Sequence, residues 1–423
     1  MGSVKDLIKD DSIAGKLFIP PTAVEFGQGA WKVSGRFSVG DLKELIPTVS
    51  IKNKAEALTM MTAAFFEYLS FTNPEILTCY LGLLDGNGKI VDTTTLLDRG
   101  ETSSIIVMRL AHVPESFCGG DLKRYRVALQ NGELQCGVAD VESIFRAGFP
   151  LGSSAFEKIF EAVDMKREYE TLATYDEVTG GLDRIRLLIT AEGLTKFPAL
   201  EKIISKYKLE KIPNPGFVLK RFSFDSTTKF EKAGDRPITK DEERVLSGLS
   251  NEGYHEWAEE TFPTITKRQI AFGEQKNLLN IDGKAECVAY HGLPVVTDFL
   301  FTVDENRIMI ILDHNGEKWA IPSNKEIQRA IYRQNGVYAA IAEAKRRAEE
   351  DCDKDSWRAY FPTVRLERRL DIRGITEHSC KLMAYAIGEV ANRVLGKNVF
   401  ETRPLAEWTP EFMPYASKIE RQR

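Results

Sequence analysis

Residues Ile281–Arg307, IDGKAECVAYHGLPVVTDFLFTVDENR, hold the pattern around which the chain is organised. Two apolar segments flank His291-Gly292, a pair of turn-forming residues that joins strands into a β-hairpin. Side chains alternate between the two faces of a strand, so Lys284 and Glu286 share one face of the first. The second strand carries Asp298 and runs into Asp304, Glu305, Asn306 and Arg307. A cation and two carboxylates converging across a hairpin suit Mg²⁺ held against phosphate oxygens, because Mg²⁺ takes one or two carboxylates plus substrate phosphates. An exposed, salt-bridged hairpin uses the same residue types, and the hairpin alone leaves both readings open.

A chain of 423 residues can bury a large core and form two or three subdomains. Its 43% hydrophobic and 28% charged residues are ordinary for a soluble globular protein. With 57 Lys and Arg against 62 Asp and Glu, the net charge of −5 leaves no footprint for nucleic acid or an anionic membrane. No apolar run reaches spanning length and the N-terminus lacks a secretory apolar region, which predicts a cytoplasmic protein. Cys79, Cys118, Cys136, Cys287, Cys352 and Cys380 form no C-x-x-C pair and read as reduced thiols, not as a zinc site or disulfide framework.

Residues 1–41 fall into short β-rich pieces between Gly and Pro, which predicts a small antiparallel sheet. In 54–70, Leu58, Met61, Ala64, Phe65 and Leu69 recur at helical spacing and predict an amphipathic helix over that sheet. Strand-like segments at 76–85 and 89–98 flank Gly86-Asn87-Gly88, and 103–114 reads as a buried strand that closes an N-terminal subdomain. The Gly-rich stretch 115–140 predicts a hairpin of its own. From 141 to 159 a strand passes through Gly152-Ser153-Ser154 into a helix. Such a turn can aim backbone N–H groups and hydroxyls at an anion, with Arg146 nearby, although a plain capped helix start looks the same. Residues 160–215 are helix-rich, 222–239 read as a polar loop, and 240–262 as one long helical pattern. Amphipathic helices at 324–350 and 376–395 are expected to pack over the sheet.

In their order along most of the chain, these motifs resemble the phosphoribosylaminoimidazole-succinocarboxamide synthase (SAICAR synthetase) family. Gly2 to Leu7 looks like the family's opening Lys/Arg-Asp strand over the ATP phosphates, with Ser3 in place of its first lysine. Arg36 to Asp41 is similar to the Ser-Ala-x-Asp segment, and Val107 to Pro114 to the strand that reads adenine. Arg146 with Gly152-Ser153 resembles the pair that binds the ribonucleotide phosphate, and Ser226 to Glu231 the Ser-Thr-Lys-x-Glu loop. Lys284, Glu286, Asp298, Asp304 and Arg307 stand where the family has Asp-x-Lys-x-Glu, its partner Asp and Pro-Asp-x-x-Arg, with Val303 in the place of proline. Tyr332-Arg333-Gln334 is similar to its Phe-Arg-Gln.

The resemblance implies an α+β, SAICAR-synthetase-like and ATP-grasp-related fold. Its parts would be an N-terminal ATP-binding subdomain (1–114), a central substrate- and metal-binding subdomain (115–320, with 115–140 an insertion) and a C-terminal helical segment (321–423). It also implies an ATP- and Mg²⁺-dependent ligase that condenses carboxyaminoimidazole ribonucleotide with L-aspartate to give SAICAR, ADP and phosphate, with a homodimer compatible. Lys284, Lys229 and Asp41 would be catalytic. Lys5, Met108, Arg109, Leu110, Lys284, Glu286 and Asp298 would bind ATP, with Glu286 and Asp298 on the metal. Ser38, Asp41, Arg146, Ser153, Lys229, Asp304, Arg307 and Arg333 would bind substrate. A related carboxylate–amine ligase with another substrate, or a non-catalytic nucleotide-binding protein docking through 115–140, are the alternatives.

Overall fold

The computed structural model describes residues 51–189, 196–231, 234–351 and 357–422, together with the short stretches 8–9, 28–34, 36–37 and 49–50. It is a mixed α+β structure. The hairpin is present as Asp282–Tyr290 and Leu293–Thr297, antiparallel, with Tyr290 opposite Leu293. His291 and Gly292 have φ of 50° and 81°, the left-handed pair that matches the twist of the flanking strands.

Outward from the hairpin, Asp282–Tyr290 pairs antiparallel with Glu142–Phe149, and that strand with Phe217–Thr227. Glu420–Arg421 closes this edge in parallel, and Cys136–Val138 adds to the other end of Asp282–Tyr290. The segment 222–239, expected as a loop, is thus strand over its first third, through Thr227. Its polar composition is overridden by the pairing of Ser223–Thr227 with Glu142–Arg146, and only Thr228 onward forms the loop.

A five-stranded sheet holds Ile8–Lys9, Gln28–Lys32, Ile105–Arg109, Tyr80–Leu84 and Ile90–Val91 in that order. Its first pair is parallel and the others antiparallel, so the expected all-antiparallel sheet is mixed. The stretch 89–98 ends as a helix, Thr93–Asp98, because Asp92 caps it by accepting from the Thr95 N–H at 2.6 Å. Four further strands, Leu278–Asn280, Ile308–His314, Glu317–Pro322 and Ser417–Lys418, make another sheet.

Residues 115–140 do not form a hairpin of their own. They make helices Pro114–Cys118 and Leu122–Gln130, started by Pro114 in the first turn and by Asp121, which accepts from the Arg124 N–H at 3.0 Å. The helix Lys54–Thr72 is not amphipathic. Ala55, Ala57, Met60 and Ala63 fill the sides between the apolar positions at helical spacing, so the helix is buried nearly all round. It packs against Ile372–Leu395 and Phe262–Gln275, and Phe65 stacks on Phe301 at 5.4 Å between ring centroids. Each such buried aromatic contributes about 1.5–3 kcal/mol. The pattern from 240 divides into Lys240–Leu246, Asn251–His255, a wide π-helical turn Glu256–Thr261 and Phe262–Gln275. That from 324 divides at Asn335-Gly336 into Lys325–Gln334 and Val337–Glu350. Among the described residues no helix is long and apolar enough to cross a membrane, and the five described cysteines are free thiols.

Candidate functional site

Alternation along Asp282–Tyr290 puts Asp282, Lys284 and Glu286 on one face. In register beside them lie Arg146 opposite Asp282, Ile144 opposite Lys284, and Thr297 opposite Glu286. Glu142 shares this face with Arg146, four residues along its own strand.

The Lys284 ammonium sits at 2.9 Å from Glu142, 2.8 Å from Glu286 and 2.9 Å from Glu305. Lys229 reaches the other oxygen of Glu286 and stands 3.4 Å from Asp298. Glu286 is buried, with 1% of its side chain exposed, so two ammonium groups hold its carboxylate in place. Burial works against the Lys284 ammonium, but Glu305, Asp298 and Glu142 outweigh it and raise its pKa. Burial lowers the pKa of Lys229 despite Asp298, and raises that of Glu305 despite Lys284. Asp298 has φ of 64° and its Oδ1 accepts the Phe299 N–H at 2.8 Å, so the chain turns sharply where the hairpin ends. A left-handed non-glycine residue costs on the order of 1–3 kcal/mol, and such strain gathers at functional sites.

At the Asp282 end the charges invert. Asp282 pairs with Arg307 and lies 3.6 Å from Arg146, while Arg307 Nε meets Glu326 at 2.7 Å. Arg146 donates to the Ser153 and Ser154 hydroxyls at 3.2 and 3.4 Å, and Ser153 caps the helix Ser154–Glu161 by accepting from the Ala155 N–H. Arg333 lies over the Tyr169 and Tyr338 rings, at 5.1 and 5.5 Å. Of these, Ser154, Tyr169, Arg307, Glu326, Arg333 and Tyr338 line a cavity of about 590 Å³, together with Gly152, Arg329, Lys345, Trp357 and Arg358. The Nε atoms of Arg146 and Arg333 are buried with no hydrogen-bond partner among the described residues.

The sequence-predicted residues therefore divide. Lys229, Lys284, Glu286 and Asp298 meet in one cluster; Arg146, Ser153, Arg307 and Arg333 gather at the other. Asp304 stands apart, 2.6 Å from the buried Lys54 at the start of the central helix. Met108 and Leu110 are buried and Arg109 is exposed at the end of Ile105–Arg109. The Arg109 N–H donates to Cys79 O at 2.7 Å and the Cys79 N–H to Val296 O at 2.8 Å, which links this strand to the hairpin beside Thr297. Lys5, Ser38 and Asp41 lie outside the described residues.

Four acidic residues of the two clusters carried no role in the sequence: Glu142, Asp282, Glu305 and Glu326. Two of them had a signal, since Glu142 lies four residues before Arg146 and Asp282 two before Lys284, each on the shared strand face. Among the described residues no three His, Cys, Asp or Glu side chains are grouped as a preformed metal cage.

No family model and no curated protein matches the sequence. Solved structures to which the chain is similar include SAICAR synthetases. The Saccharomyces cerevisiae enzyme complexed with SAICAR aligns at 13% identity over 89% of this chain and 91% of its own, with a TM-score of 0.45. The Pyrococcus horikoshii enzyme aligns at 12% identity over 77% and 96%, with a TM-score of 0.40. A SAICAR synthetase in complex with ADP aligns at 12% identity over 77% and 93%, with a TM-score of 0.41.

Proposed function

We propose that this chain is an ATP-dependent ligase of purine biosynthesis, with the SAICAR-synthetase-like, ATP-grasp-related architecture that its motifs resemble. It would join carboxyaminoimidazole ribonucleotide to L-aspartate. The observation that supports this most is the single face of Asp282–Tyr290, which runs from an arginine-rich cavity at Asp282 to a carboxylate-rich cluster at Glu286.

A carboxylate resists attack by an amine until it carries a leaving group. In the proposed sequence the ribonucleotide carboxylate attacks the γ-phosphorus of ATP, the bond to ADP breaks, and an acyl phosphate forms. The aspartate amine then attacks the acyl carbon, the C–N bond forms, phosphate leaves and the nitrogen loses a proton. Positioning and electrostatics carry most of the work in phosphoryl transfer. Lys284 and Lys229 would neutralise charge on the transferring phosphate. Glu286 and Asp298 would hold Mg²⁺, and the donor set fits it: hard oxygens, with Glu142, Glu286, Asp298 and Glu305 outnumbering two ammonium groups. Bound there, Mg²⁺ supplies neutralisation of the β- and γ-phosphates.

Arg146, Ser153, Arg307 and Arg333 would take the ribonucleotide phosphate, since guanidinium forks match phosphate oxygens. Met108 to Leu110 would read the adenine edge. Lys5 would add to the ATP phosphate contacts, and Ser38, Asp41 and Lys229 would face the carboxylate and amine. Asp304 would act on the substrate side through its pairing with Lys54. Release of ADP with carboxyaminoimidazole ribonucleotide, with and without aspartate, tests the reading. Aspartate-dependent release is expected; a flat trace in both overturns it.

A further inference from the structure

We propose that Arg126 and Asp140 position the Lys229 ammonium against Glu286 and Asp298, which makes the segment left over as an insertion a working part of the site. What Lys229 does there rests on the ligase reading; the positioning itself rests on geometry alone.

Asp140 is fully buried. Its Oδ1 accepts the backbone N–H groups of both Lys229 and Phe230, at 3.0 and 2.8 Å. Its Oδ2 accepts from Arg126 Nε at 2.6 Å, and the same guanidinium reaches Glu231 at 3.1 Å. One residue earlier, the Thr228 N–H donates to Arg236 O at 2.9 Å and the Thr228 hydroxyl accepts the Arg236 N–H at 3.0 Å. Four successive residues of the loop are therefore held.

Two adjacent N–H groups converging on one oxygen fix the turn of the backbone between Lys229 and Phe230. The two side chains part there: the Phe230 ring packs edge-on to the buried Tyr125 at 5.9 Å, while Lys229 runs to Glu286. Tyr125 belongs to the same helix as Arg126, and its hydroxyl bonds the carbonyls of His112 and Val138 at 2.7 and 2.8 Å. A neutral anchor could hold a loop more cheaply, because a buried carboxylate needs both hydrogen bonds and a counter-charge. Asp140 has both. Lys229 is 10% exposed, and its long stem would swing toward water if the loop relaxed.

Arg126→Ala, Arg126→Lys and Asp140→Asn test this, with Arg126→Ala the informative variant if Asp140→Asn does not fold. In folded Arg126→Ala, kcat should fall about 10- to 100-fold with the KM for ATP little changed, and Arg126→Lys should recover part of the loss. A purely structural role would lower the melting temperature and leave kcat of the folded protein alone, and that result overturns the proposal. Independently of turnover, acetic anhydride labelling followed by mass spectrometry should acylate Lys229 several-fold faster in Arg126→Ala than in the unaltered protein. Equal rates overturn the proposal whatever kcat does. If the unaltered protein releases no ADP, the ligase reading fails, and the labelling comparison still decides the positioning.

Discussion

The two ends of one strand face are built from the same residue types in opposite proportions. Around Lys229 and Lys284 stand Glu142, Glu286, Asp298 and Glu305, four carboxylates to two ammonium groups. The cavity at the Asp282 end is lined by Lys166, Arg307, Arg329, Arg333, Lys345 and Arg358 against Glu157, Glu170 and Glu326, six cations to three carboxylates. Four steps along the strand, roughly 13 Å at about 3.3 Å each, separate Asp282 from Glu286. A rigid strand thus sets a carboxylate-rich cluster and an arginine-rich cavity at a fixed distance, which the proposed ligase reaction would use to bring phosphates to an anionic substrate.

Removing the charge of the first site should do the most. Glu286→Gln keeps the shape but leaves Lys229 and Lys284 without their shared partner, and kcat should fall roughly 10³-fold while circular dichroism stays unchanged. Near-normal turnover at saturating Mg²⁺ would remove the metal assignment. The joint between the sites comes next. A Cβ at Gly283 would lie 2.0 Å from Asn306 Nδ2 and 2.9 Å from Phe145 Cε1, so Gly283→Ala should lower stability by about 1–3 kcal/mol in urea unfolding. An unchanged midpoint would show that the strand can shift there. The smallest effect belongs to the second site: Arg333→Lys loses the planar guanidinium and should raise the KM for the ribonucleotide about tenfold with kcat nearly unchanged. An equal loss in kcat would place Arg333 in the chemistry instead.

What the sequence made legible was local. The His291-Gly292 turn, the alternation of Lys284 and Glu286, and the Gly152-Ser153 helix start are set by neighbours a few residues apart, and all three stand in the structure. The partners of those residues were not legible, because Lys284 meets Glu142 across 142 positions and Lys229 meets Asp298 across 69. The helix Lys54–Thr72 was misjudged since five apolar residues at helical spacing mark one face, while its alanines and Met60 decide that the rest is buried too. Residues 115–140 read as an inserted hairpin because their glycines and mixed charge look like turns, and their helices were missed. Only the fold shows Arg126 and Asp140 underneath the Lys229 loop.

In the proposed reaction ATP activates the substrate's own carboxylate between these two sites. Its most direct test is the fate of that carboxylate's oxygen. With carboxyaminoimidazole ribonucleotide labelled with ¹⁸O in the carboxylate, plus ATP and aspartate, mass spectrometry of the released phosphate should find one carboxylate-derived ¹⁸O. Phosphate released without label while the amide forms would contradict an acyl phosphate and the proposed ligase mechanism.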